Sequence, residues 1–232
     1  MPEPVVSVIV PARNEACFIT ACLESIAGQE GVLEGIVVDN GSTDGTGAAV
    51  RRFAQDHPEF SLTVVEEPIP GVARAKNRGA GAARGGILLF LDADSRMVGP
   101  LADDVIRAHD QGSPAGSMRI VADSSHPVEQ CFFWLMEVGK VLFGVRSQML
   151  YCDRALFERL GGFAENHYLA EDLDLLRRAK EAVGTEHVAH VRSSAIATSP
   201  RRLRERPFHL GVIPVFVRWA LAFAGLGRTR RY

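Results

Sequence analysis

Little in these 232 residues marks a secreted, zinc-binding or nucleic-acid-binding protein. The four cysteines, Cys17, Cys22, Cys131 and Cys152, make no CxxC pair, and no Cys/His set has zinc spacing. That excludes a zinc finger or ribbon and leaves free thiols in a reducing compartment. The opening stretch MPEPVVSVIVPARNEA has neither the basic start nor the cleavage site of a secretory leader, so the expected location is the cytoplasm. Aromatic residues make up only 7% of the chain and do not alternate with the C-terminal arginines, which argues against a nucleic-acid partner. Internal repeats, low-complexity tracts and linkers are absent. What is present is an apolar content of 47%, ample for a folded core.

The net charge of −2 conceals an asymmetry. Residues 192–232 hold nine arginines and one acid, Glu205, for +8, which leaves −10 on the rest. A basic tail on an acidic body suits phosphates or the anionic inner face of a membrane. Within it, FHLGVIPVFVRWALAFAGLG is apolar on nearly every face. It is barely long enough to span a bilayer, and Arg218 at its middle argues against spanning. Two readings stay open: a helix on the membrane surface opening at Pro214, or packing on the chain's own core or on a second copy in a homodimer. CFFWLMEVGKVLFG reads as a helix of ordinary core, or as an apolar wall for a lipid acceptor.

Along the chain, short apolar runs alternate with helical periodicity. VVSVIV, GIVVD, SLTVVEE and GILLFLDAD read as strands. Helices are predicted after Asn14 as N-cap up to Gly28, over about 46–56 and over about 100–110, and GVARAKNRGAGAARG reads as a loop entering a small-residue helix. Further on, QMLYC and EHVAHVRS read as strands, DRALFERLGGF as a short helix, and AEDLDLLRRAKEAVG as an amphipathic helix stopped by Gly184. The fold class is therefore α/β, with a mostly parallel central sheet and helices on both faces. Ligands of such sheets bind outside the carboxyl ends of the strands. The polar residues Pro11–Glu15, Asp39–Thr43, Glu66–Glu67 and Asp92–Asp94 all fall at that edge.

Asp92 and Asp94 are the sharpest feature. Two carboxylates about 4 Å apart repel by about 4 kcal/mol at an effective dielectric near 20. Unless both point into water, a proton, a basic partner or a divalent cation must offset this, and Mg²⁺ or Mn²⁺ suits hard oxygen ligands shared with phosphates.

Five motifs in order, VIVPARNEA, VVDNGSTDGT, ARAKNRGA, FLDAD and GGFAENHYLAEDLDLLRRA, resemble the family 2 glycosyltransferases of the GT-A fold over about residues 5–180. The resemblance implies one GT-A domain over 1–232. A Rossmann-like nucleotide-sugar half (about 1–98) is fused to an acceptor and catalytic half (about 99–192), followed by the basic and apolar tail (about 193–232). It implies an inverting, metal-dependent transfer from a UDP- or GDP-linked sugar to a hydroxyl of a small-molecule, lipid or glycan acceptor. By the same resemblance Pro11, Ala12, Arg13 and Glu15 line the nucleoside pocket, Asp39 bonds the base, and Lys76 and Asn77 face the diphosphate. Asp94 binds the metal, Asp92 contacts ribose or metal-bound water with Ala93 between them, and Asp172 is the general base with Glu171 orienting it. TSPRRLRERP becomes a lid in which Arg201 or Arg202 clamps the leaving diphosphate. A histidine serves as third metal ligand in some GT-A enzymes, which makes His190 a candidate; His187 and His190 point to opposite strand faces and would not chelate together. The QxxRW of processive synthases is missing, which argues against a long-chain polymerase.

Each residue also has a plainer reading. Asp39 suits a turn before Asn-Gly, Arg13 and Glu15 a surface pair, Lys76 a basic helix face with Arg74, Arg78 and Arg84, and Glu171, Asp172 and Asp174 the acidic start of a helix. The strongest rival function is a haloacid-dehalogenase-type phosphatase, whose nucleophile strand also ends in DxD but opens its domain. A non-catalytic nucleotide-sugar-binding module is the other. GAGAARG has Arg84 in place of the third glycine of a dinucleotide loop, and PARNEA has no glycine for a nucleotidyltransferase loop.

Overall fold

A computed structural model describes residues 5–142, 149–165 and 171–204. The first half alternates strand and helix: β1 (Val6–Ala12), α1 (Ile19–Ala27), β2 (Val32–Asp39), α2 (Thr46–Asp56), β3 (Leu62–Glu66), α3 (Val72–Ala82) and β4 (Ile87–Phe90). Then come β5 (Ser95–Val98), α4 (Leu101–Asp110), β6 (Ala115–Ala122), α5 (Pro127–Leu142), β7 (Leu150–Asp153), α6 (Arg154–Arg159), α7 (Glu171–Val183), β8 (Val188–Thr198) and the short α8 (Arg201–Arg204). The strands form one eight-stranded sheet in the order β3-β2-β1-β4-β7-β6-β8-β5. The pairs β3–β2, β2–β1, β1–β4 and β6–β8 are parallel, and β7 and β5 run against their neighbours.

Alternation along the strands divides the core in two. Val6, Val8 and Val10 of β1 face Leu23 and Ile26 of α1, Phe53 of α2 and Leu101 of α4. Ile9, with Val38, Leu88 and Phe90, faces the small residues of α3 and Leu156, Phe157, Leu175 and Leu176 of α6 and α7. Phe90 meets Phe163 edge-on at 4.8 Å between ring centres, a favourable geometry for aromatic pairs. Helices thus cover both faces, as the apolar strands imply.

The departures are local. Asn14 does not cap α1: the cap position is Phe18, and Asn14 adopts φ 57° in the preceding loop, where its side chain is committed elsewhere. β1 continues through Pro11 to Ala12 beside β2 alone, since its pairing with β4 ends at Ile9–Phe90. β4 stops at Phe90, and Asp92–Asp94 occupy a turn closed by Ser95 N donating to Asp92 O at 3.0 Å. β5 and β6 have no counterpart among the strands the sequence pattern predicts, and β8 reaches Thr198, past the predicted end near Ser193. α5 forms as predicted, but only part of it is core: Phe132 is buried, whereas Trp134 is 62% exposed. Among the described residues no helix is long and apolar enough to cross a membrane. The apolar segment 208–226, with Pro214 and Arg218, lies outside the described residues.

Candidate active site at the carboxyl edge of the sheet

Parallel β1, β2 and β3 end together, with Ala12 opposite Asp39 and Asp39 opposite Glu66. The loops leaving β1 and β2 are stitched to each other. Asn14 Oδ1 accepts from Thr43 N (2.8 Å), Ser42 Oγ accepts from Asn14 N (3.1 Å), and Thr46 Oγ1 accepts from Glu15 N (2.8 Å). Asp39 Oδ1 accepts from Ser42 N, three residues on, at 2.8 Å, so its side chain braces the turn that its sequence context suggests. Asn40, almost fully buried, donates to the carbonyls of Glu67 and Ile69 and accepts from Gly71 N, each at 2.8 Å. One side chain thereby fixes the β3–α3 loop along the rim beside Asp39. Arg13 lies exposed on this rim, Pro11 is half-buried and Ala12 is buried.

Asp92 and Asp94 follow β4 at the same edge, with Ala93 buried between them. Burial raises the proton affinity of Asp92, aided by the Asp94 and Glu171 charges and opposed by Lys76 and Arg202. Burial also raises that of Asp94, opposed by Arg201 and Arg202 and aided by Glu15. The Arg201 guanidinium forms a bidentate pair with Glu15, with Nη1 to Oε2 at 2.8 Å. It also lies 3.0 Å from Asp94 Oδ2 and sits over the Phe18 ring at 4.9 Å. Ser199 N donates to Asp94 O at 3.0 Å, so α8 begins directly above the paired aspartates.

Two desolvated hard-oxygen donors two residues apart fit a small divalent cation whose remaining ligands would come from a phosphate group. Among the described residues no group of three His, Cys, Asp or Glu side chains could hold an ion without that help. His190, the candidate third ligand, has its Nδ1 3.0 Å from Ser117 Oγ and its Nε2 3.4 Å from Glu137. His187 Nδ1 faces the Gly112 carbonyl at 3.1 Å.

Glu171 and Asp172 open α7 and are both largely buried beside Lys76, which lies on α3. The Lys76 ammonium is 2.7 Å from Asp172 Oδ1 and 2.9 Å from Glu171 Oε1. Burial pushes the Asp172 carboxyl upward, the charges of Glu171 and Asp92 add to this, and Lys76 opposes it. Glu171 moves the other way: burial raises it, but the charge and hydrogen bond of Lys76 outweigh burial and hold it below the usual carboxylate range.

The structure thus brings together Glu15, Lys76, Asp92, Asp94, Glu171, Asp172 and Arg201, with Arg202 exposed nearby on α8. Asn77 is engaged with the chain that precedes α7. Its Nδ2 donates to Phe163 O and its Oδ1 accepts from Phe163 N, both at 2.9 Å, which pins the GGF loop. Arg178 holds that loop from α7, donating to Leu160 O (2.7 Å) and Gly162 O (2.8 Å). Asn40 and Arg178 escaped the sequence reading. The Asn-Gly turn signal pointed at Asn40's position, while nothing local distinguishes Arg178 from a solvated helix arginine.

This sheet, with the Asp92–Asp94 turn after its fourth strand and the Glu171–Asp172 pair beside Lys76, has the GT-A glycosyltransferase fold. The sequence profile described as "Glycosyl transferase family 2" matches residues 7–124, and the chain belongs to that family. The phosphatase reading falls with this result, since the DxD does not open the domain. The solved mannosyltransferase PcManGT from Pyrobaculum calidifontis, in complex with GDP-Man and Mn²⁺, is 28% identical and superposes with a TM-score of 0.74, covering 99% of this chain and 66% of that one. A PGL/p-HBAD biosynthesis glycosyltransferase of Mycobacterium bovis is 42% identical over 98 residues, 42% of this chain and 38% of that protein. Glycosyltransferase AglE of Haloferax volcanii is 39% identical over 94 residues, 39% of this chain. The chain spans only 38% and 31% of the lengths of these two curated relatives. The family match ends before Glu171 and Asp172.

Proposed function

We propose that this chain transfers a sugar from a UDP- or GDP-linked donor to an acceptor hydroxyl, inverting the anomeric carbon in one displacement. The observation that carries this reading is a buried acid, Asp172, with raised proton affinity, set at the same sheet edge as the Asp92–Asp94 turn. A base of that kind takes the acceptor's proton as its oxygen attacks. Asp39 accepts from a ring N–H of uracil or guanine through Oδ2, which has no hydrogen-bond partner among the described residues. Pro11, Ala12, Arg13 and the Asn40-held loop frame the base. The similarity to a mannosyltransferase solved with GDP-Man and Mn²⁺ supports a sugar nucleotide as ligand.

Asp94, with Asp92, would hold Mg²⁺ or Mn²⁺ together with the donor diphosphate; such an ion, when bound, neutralises charge on the leaving group. Arg201 leaves Asp94 for the diphosphate in that state, with Arg202 close by on the same turn. Residues 1–98 form the donor side and 99–192 the acceptor side. The acceptor is a small molecule, a lipid or a glycan, and the exposed Trp134 and Leu135 of α5 are compatible with an apolar one.

Asp172→Asn tests the reading. It keeps binding of UDP or GDP and lowers turnover by roughly 10²–10⁴-fold, measured as nucleoside diphosphate released. Unchanged turnover would refute the assigned base, and a wild-type protein that binds a nucleotide without turning over any donor would be a binding module.

A further inference from the structure

Resemblance aims Lys76 at the donor diphosphate, but its surroundings fit that poorly. The side chain is only 3% exposed. An ammonium has three donors; here two meet Asp172 and Glu171, and the Phe163 ring lies 5.1 Å from Nζ. The remaining donor belongs to a side chain with almost no free surface for a phosphate to contact. Its neighbour in sequence does a related job, since Asn77 holds Phe163 through both backbone groups. Two consecutive residues of α3 therefore grip both ends of the stretch between the GGF loop and the start of α7. α3 is itself set tightly on the sheet, because a Cβ at Gly79 would meet Ile9 Cγ2 at 2.4 Å.

We infer that Lys76 is a positioning residue for the acid pair, not a ligand of the diphosphate: with Asn77 it fixes Asp172 relative to the sheet edge where the donor binds. This rests on the transferase reading, with Asp172 as base. Lysine fits because a flexible stem places a point charge between two carboxylates in a confined space. Its removal would leave two adjacent buried acids without their shared cation.

The experiment compares Lys76→Met and Lys76→Arg with the wild type. Binding of UDP and GDP is measured by calorimetry with Mn²⁺. Release of nucleoside diphosphate is followed in single turnover from UDP-glucose, UDP-N-acetylglucosamine and GDP-mannose, with water as the acceptor. Lys76→Met should bind within about threefold of wild type yet release diphosphate at least ~10²-fold more slowly, and Lys76→Arg should recover about tenfold of that loss. In an Asp172→Asn background, Lys76→Met should cost little more, because residues acting through one base are not additive. If the methionine variant fails to fold, Lys76→Arg carries the test through unchanged binding and a reduced rate. Binding weakened about tenfold or more with the saturated rate preserved, or losses that multiply fully with Asp172→Asn, would overturn the inference. Failure of the underlying transferase reading shows separately, as absence of release by the wild-type protein from all three donors, and would take the inference with it.

Discussion

At Asp172, burial is the largest influence and drives the carboxyl upward to about 6, with the Glu171 and Asp92 charges in the same direction and Lys76 against them. The ionised form is the base, so turnover should fall as pH drops through about 6, which a pH–rate profile at saturating donor reads directly. The stability consequence has the opposite sense. A folded-state value above the unfolded one, near 3.9 for aspartate, stabilises the fold fully below about pH 4, and the contribution is lost as pH rises through about 6. The same contact works the other way at Lys76, whose proton, despite burial, is held more tightly in the fold, chiefly by the Asp172 and Glu171 charges. Asp172→Asn should therefore lose turnover while the fold survives, because Lys76 keeps Glu171 as its partner at 2.9 Å, which circular dichroism checks beside the rate. A folded variant that retains turnover would contradict the assignment of the base.

Among the elements, α3 ties the fold to the site. It packs on β1 and β2 through Gly79, where a methyl would lie 2.4 Å from Ile9 Cγ2 and 2.9 Å from Val38 Cγ2. Gly79→Ala must lift the helix that carries Lys76 and Asn77. It should cost about 1–3 kcal/mol in urea unfolding and lower the turnover of the folded fraction as well. Much of this scaffold was legible because its signals are local: the β-branched run of β1, the periodicity of α2, and the acids and Gly184 bracketing α7. β5 and β6 were not legible. β5 is four residues long, and its partner β8 lies about a hundred residues away in the chain. β6 carries polar Ser117 and Arg119 within its span, which interrupts the apolar run a buried strand shows. The start of α1 was misread because Asn14, a good cap by type, is bonded instead to Thr43 across the loop. In the site, Asp92, Asp94, Glu171 and Asp172 were readable by spacing and resemblance. The partners of Lys76, Asn77 and Asn40 were not, because each depends on a contact 27 or more residues away.

For the molecule as a whole, the sheet edge gathers carboxylates from three separate stretches of chain, and the arginines of α8 are the last cations in sequence among the described residues. Ser199 anchors this segment to Asp94, Arg201 bridges Glu15 and Asp94, and Arg204 pairs with the buried Glu129 of α5 at 2.6 Å. The proposed donor and acceptor sides would then be joined by one cationic turn beside the position assigned to the metal and diphosphate. The carboxylates at this edge outnumber its cations, and Arg201 and Arg204 are already paired with acids, so on the transferase reading retention of an anionic donor requires a divalent cation between it and the carboxylates. Titration calorimetry of UDP and of GDP, with Mn²⁺ and then with excess chelator, tests that bridge most directly. The account predicts that at least one of the two binds with Mn²⁺, and that this binding is lost with chelator and in Asp94→Asn. Binding that persists undiminished under chelation and in Asp94→Asn would contradict it.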